Sequence, residues 1–183
     1  NTAFYITDTD IPPPQLRCVA VNSNGSINLT WTDTSNSQSV FAGYYIYAST
    51  NANGPFNLLD SVMNYNTNSY LYNVSNGQSQ KYWFCLKVRT SCGSGNLSVN
   101  GDTLSSIILN VLNNGGIAQL SWHHLCNPNL SSNTGLYTVY REYPKGNWVT
   151  VGTTANTNYT DNFTVCADSI YYRVEVDDNL PCT

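Results

Sequence analysis

The sequence predicts an all-β chain of two tandem antiparallel β-sandwiches. Three observations predict it. Short runs of period-two alternation, rich in β-branched and aromatic residues, recur at roughly ten-residue spacing between Gly, Asn, Ser and Asp clusters. Good helix formers are scarce: 183 residues hold one Met, two Glu and three Lys. The chain also repeats itself. SINLTW (26–31) matches IAQLSW (117–122), with Gly25 falling on Gly116, Leu29 on Leu120 and Trp31 on Trp122. YYIY (44–47) matches YTVY (137–140), GPFNLLDS (54–61) matches GNWVTVGT (146–153), and YWFCLKV (82–88) matches IYYRVEV (170–176). All four matches keep their order, which chance similarity would not.

Taken in order, the first copy predicts strand A over 15–22, B over 26–33, C over 43–50, C′ over 56–63, E over 68–74, F over 81–90 and G over 96–103. In B, the register of Ile27, Leu29 and Trp31 turns those three inward and leaves Asn28 outward. The second copy predicts A over 105–113, B over 117–124, C over 136–143, C′ over 147–152, E over 157–161 and F over 169–177. No residues remain for a seventh strand, so the second sheet is expected to end short or to be completed by a downstream segment. The domain organisation follows: 1–11 as end strand and linker of a preceding domain, 12–104 as the first domain, 105–183 as the second with an incomplete C-terminus.

Bulk composition excludes several classes. Hydrophobic residues make up 41% and aromatic residues 13%, enough for a core. Charged residues are only 10% and the net charge is −4, so nucleic acid and anionic membrane surfaces are not expected partners. The surface is instead built from 26 Asn, 19 Ser and 19 Thr. No apolar run reaches the length of a membrane span, so membrane insertion is not expected. Six cysteines fit an oxidising compartment, and none falls in a CxxC or Cys/His zinc pattern. Seven N-x-S/T triplets are close to what so much Asn, Ser and Thr gives by composition alone. They carry little weight for glycosylation.

The motifs resemble the fibronectin type III domain, twice in tandem. The first copy carries PPPQL (12–16) as a Pro-rich entry, Trp31 on strand B, the aromatic pair of YYIY on strand C, and the alternating strand F of Tyr82, Phe84, Leu86 and Val88. The resemblance implies an immunoglobulin-like sandwich, with Tyr82 as the tyrosine-corner residue bonding back to the E–F corner. The second copy departs: Ile170 stands at that place, and no Pro-rich entry precedes it. The Asn/Ser/Thr-rich repeats also look like those of large secreted or surface proteins of Bacteroidetes-type bacteria, of the gliding-motility-associated or type IX secretion class.

The cysteine pairing rests on that resemblance, which puts the B–C and F–G loops at one pole of each sandwich. It favours Cys18–Cys92 and Cys126–Cys182, each closing a long loop worth about 3–4 kcal/mol on the entropic model. Cys85, outward by parity on strand F, and Cys166 are left over. Cys166–Cys182 is a rival that would have to span strand F. Six cysteines allow fifteen pairings, and the sequence does not choose among them.

No catalytic constellation stands out. His123-His124 point to opposite faces of a strand and have no third ligand, so they read as strand-end histidines rather than a metal site. Asp8, Asp10 and Asp102 could attract calcium at a joint, but carboxylates are too few. Glu142, Glu175, Asp177 and Asp178 read as solvated charges. G-x-S-x-G and phosphate-loop motifs are absent. No cofactor and no metal are expected. Tyr5, Tyr65, Tyr72, Trp83, Tyr143, Trp148 and Tyr171 are candidates for outward or rim positions, and Trp83, Trp148, Tyr143 and Tyr171 are the candidate ligand-contact aromatics.

The expected function is that of a non-catalytic extracellular module. It would serve as a semi-rigid spacer and an adhesion or interaction surface for a protein or glycan, joined to neighbouring domains of the same chain. The alternative is an accessory or carbohydrate-binding region of an extracellular polysaccharide-degrading enzyme. A glycosylated receptor ectodomain is a third reading.

Overall fold

The computed structural model describes residues 11–36, 39–91, 95–123, 133–163 and 169–178. Among them every regular element is a strand and every ladder is antiparallel. The first unit contains β1 (Leu16–Val21), β2 (Ile27–Trp31), β3 (Phe41–Ser49), β4 (Asn57–Val62), β5 (Ser69–Tyr72), β6 (Trp83–Thr90) and β7 (Leu104–Ser105). One sheet runs β1-β2-β5 and the facing sheet β4-β3-β6-β7. In the lettering of the sequence these are A-B-E against C′-C-F-G, an immunoglobulin-like partition.

Alternation decides which side chains go inside. Ile27, Leu29 and Trp31 are buried on β2, as their register predicts, and meet Tyr44, Ile46, Phe84, Leu86 and Val88 of the facing sheet. Trp31 lies edge-on to Tyr44 at 5.5 Å. Tyr72 was expected outward but faces in. It pairs with Ile27 across the ladder, and its ring stands 5.6 Å from Tyr82 and 5.9 Å from Phe84.

The second unit contains β8 (Leu109–Asn113), β9 (Ile117–Trp122), β10 (Asn133–Glu142), β11 (Trp148–Thr154), β12 (Asn158–Asn162) and β13 (Tyr171–Asp178). Its sheets run β12-β9-β8 and β11-β10-β13. Ala118, Leu120, Trp122, Tyr137 and Val139 form a separate core. The chain passes from one core to the other within a single peptide. Ser106 donates its N–H to Tyr82 O, while Ile107 packs on the second core.

The equivalence of the two units extends to their A–B turns. Gly25 and Gly116 both adopt positive φ, +85° and +94°. Each offers its carbonyl to the chain leaving strand E: Gly77 N donates to Gly25 O and Phe163 N to Gly116 O, both at 3.0 Å. A Cβ on Gly25 would also collide with the Ser75 carbonyl.

Two expectations about elements change. Strand G was expected over 96–103, but that stretch pairs irregularly with β6 and the regular ladder forms only at Leu104–Ser105. Ser98 is the cause. Its N–H donates to Val88 O, but its side-chain Oγ, rather than its backbone carbonyl, accepts the Val88 N–H. The first strand of the second unit begins at Leu109 rather than 105, because Leu104 and Ser105 are paired to β6.

Candidate functional site

The corner expected from Tyr82 forms in the first unit. Its hydroxyl donates to Asn76 Oδ1 at 2.9 Å. The second unit, with Ile170 in that position, ties its sheets together elsewhere. Tyr137, Val139 and Arg141 share the inward parity of β10. Arg141 Nη1 meets Asp161 Oδ2 at 2.7 Å, and the Tyr172 hydroxyl donates to the same oxygen at 2.8 Å. Burial, followed by the Asp161 carboxylate, pushes the Tyr172 phenol well above its ordinary range. Nothing in the local sequence announces this cluster, because its members come from three strands.

The outer faces carry the exposed chemistry. In each unit the sheet containing strands C and F presents rings and cations. On the first unit Lys81 Nζ lies 5.0 Å from the Trp83 ring centre, Lys87 Nζ 5.4 Å from Tyr47, and the Arg89 guanidinium 6.0 Å from Tyr45. On the second unit Arg173 stands between two rings, 4.5 Å from Tyr140 and 4.8 Å from Trp148. Among the described residues the opposite sheets carry no such ring–cation pairs: they show Asn28, Ser69 and Leu71 in the first unit, and Gln119, Ser121, Asn158 and Thr160 with Leu112 and Ile117 in the second.

The candidate aromatics separate accordingly. Trp148 and Tyr171, 36% and 55% exposed, both pair with Glu142 from opposite sides. The three form one row across the sheet, with the backbones of Trp148 and Tyr171 two strand spacings apart. Glu142 Oε1 accepts the Gly146 N–H at 2.6 Å, which holds the turn leading into Trp148. Tyr143 is half-buried in that turn, its N–H bonded to Asn147 O. Trp83 belongs to the other unit and is half-buried, with its indole Nε1 enclosed. Tyr65 packs on Phe41 and donates its hydroxyl to Thr34 O.

Of the cysteines favoured for pairing, Cys18 is buried and disulfide-bonded. Cys92, Cys126 and Cys182 lie outside the described residues, as do Cys166, Tyr5, Asp8, Asp10 and His124. Cys85 is a free thiol and is only 1% exposed. Its parity is outward as expected, but Tyr47 stands opposite it in register and Lys87 reaches over that ring, so it is enclosed. Burial raises its pKa. Among the described residues no three of His, Cys, Asp and Glu gather as a metal site, and no helix is long and apolar enough to cross a membrane.

No family model matches this chain, and no curated protein matches it. Among solved structures it is similar to the FN1–FN3 domains of chicken CNTN1. The identity is 17% over 89% of this chain and 59% of that one, with a TM-score of 0.39. At that score the likeness decides neither fold nor function. The two antiparallel sandwiches are defined by this chain's own ladders and cores.

Proposed function

We propose that the chain is a non-catalytic structural and interaction module, a semi-rigid spacer and adhesion surface within a larger secreted or cell-surface protein. The observation that carries this reading is the duplicated outer face. Both units put ring–cation pairs on the outer face of the sheet of strands C and F. Aromatic and arginine side chains are the residues that dominate recognition surfaces. An extracellular setting is supported by the amide-rich, charge-poor composition and by the bonded Cys18. The pairings Cys18–Cys92 and Cys126–Cys182 and a Bacteroidetes-type surface protein as parent belong to the same proposal. Turnover of a polysaccharide or peptide by the purified chain would overturn it.

A second reading, a carbohydrate-binding accessory region of a polysaccharide-degrading enzyme, is favoured by one feature. The row Trp148–Glu142–Tyr171 sets two exposed rings beside a carboxylate on one face, with Arg173 against Trp148. A glycan array separates the readings. Saturable binding to a neutral polysaccharide, weakened about tenfold or more in a Trp148→Ala/Tyr171→Ala double variant, supports the second. Sugar binding unaffected by that variant removes it.

A further inference from the structure

The outer face of the first unit differs from its counterpart in the second. At one end of it, Ala42, Tyr45, Met63, Arg89, Thr90, Ser91 and Gly95 line an open cleft of about 410 Å³. Arg89 forms one wall and is held from two sides. Its Nε donates to Gly95 O at 3.1 Å and its Nη1 to the Tyr45 hydroxyl at 3.2 Å. The fork is therefore fixed in place, with Nη2 beside Gly95 and outside both hydrogen bonds.

Lys87 sits two residues before Arg89 on the same face, about 6.6 Å along the strand. Neither cation enters an ion pair among the described residues. Asp60, on the neighbouring β4, is bonded to its own strand through Ser61 N and interacts with Tyr70. Around the cations stand apolar side chains that water covers: Leu58, 52% exposed and paired with Tyr47; Met63, 57%; and Leu97, 43% and bridged to Arg89. The rings of Tyr45 and Tyr47 each carry a cation, so this face offers aliphatic surface and positive charge.

We propose that this face binds an extended acidic polypeptide segment of a partner protein. Carboxylates two residues apart would meet Lys87 and Arg89, and apolar neighbours would settle on Met63, Leu58 and Leu97. The charge is complementary and the spacing matches, because an extended partner repeats its facing side chains at the same interval as β6. A guanidinium pinned before the ligand arrives loses little freedom on taking a carboxylate edge-on. The proposal rests on the reading of the chain as an interaction module and names the partner of one of its two faces.

Fluorescence anisotropy on the whole chain tests it. The probe is a labelled octapeptide with aspartates two residues apart among leucines and serines. The same peptide with asparagines is one control, and a tetragalacturonate is the sugar arm. Saturable binding of the aspartate peptide alone is expected. It should weaken about tenfold or more in Arg89→Ala, several-fold in Arg89→Lys, which keeps the charge but loses the fork, and steeply with added salt. Unchanged thermal melting of the lysine variant shows that its loss is not unfolding. No saturation with the aspartate peptide, equal affinity in Arg89→Ala, or tetragalacturonate binding through Arg89 overturns the proposal. Failure here alongside binding of a protein partner that depends on Trp148 and Tyr171 would leave the interaction-module reading standing.

Discussion

At the scale of single residues, the buried hydroxyls set the alkaline limit of the fold. Tyr44 is fully enclosed between the two sheets of the first unit, its hydroxyl donating to Tyr65 O. Burial, and then the negative charge of Asp33, push its pKa from 10.0 to about 12. A pKa raised on folding means that the folded state favours the neutral phenol. That preference is fully kept below pH 10.0, where the unfolded tyrosine is also neutral, and is lost as pH rises towards 12. Urea midpoints are therefore expected to fall between pH 10 and pH 12, and Tyr44→Phe should flatten the fall. A midpoint constant across that window would contradict the assignment. Tyr72 makes a different point at this scale. Its inward placement follows from register, since it stands opposite Ile27 and on the same parity as Tyr70 opposite Leu29. A four-residue strand gives too few alternations to read that phase from sequence alone.

At the scale of elements, the strands were legible because each needs only its own period. Ile27, Leu29 and Trp31 and their repeats Leu120 and Trp122 declare their faces without outside help. What could not be read depends on partners distant in sequence. The irregular ladder beside β6 comes from the Ser98 side chain, and the Arg141–Asp161–Tyr172 cluster joins three strands. The candidate site was legible in the same uneven way. Trp148 and Tyr171 were picked out as outward aromatics and do share a row, whereas Arg89 showed nothing of its clamp until Gly95 and Tyr45 were brought beside it. The cluster also predicts how the second unit fails. Asp161→Ala would leave Arg141, 19% exposed, without its counter-charge, at a cost of about 3 kcal/mol or more. Hydrogen exchange should then show lost protection in β9, β10 and β13 while β2 and β6 are unaffected. By contrast, the exposed pair Arg173–Glu175, at 3.3 Å, contributes little.

At the scale of the whole molecule, the handover from Ser106 to Ile107 is the feature with reach. Ser106 is committed by hydrogen bond to the first unit and Ile107 by packing to the second. No free residues stand between them to act as a swivel, so limited swing between the units is expected. Small-angle scattering should give an elongated particle whose dimensions do not change with salt, and a compact sphere would contradict this. Insertion of a few Gly-Ser residues after Ser106 should broaden the distance distribution without lowering the stability of either unit. The repeat was visible in the sequence through its ninety-residue offset. The directness of the joint was not, because only the β6–β7 pairing shows how far the first unit extends.

The enclosed sulfur of Cys85 has a use of its own. It sits mid-strand on β6 between the β3 ladder and the irregular edge beside Ser98, reduced and shielded from solvent. A thiol-directed reagent cannot reach it until the Tyr47 and Lys87 side chains move off it. Its labelling half-life is thus a clock wound by the protein itself, one that counts the brief openings of that side-chain cover long before the domain comes undone.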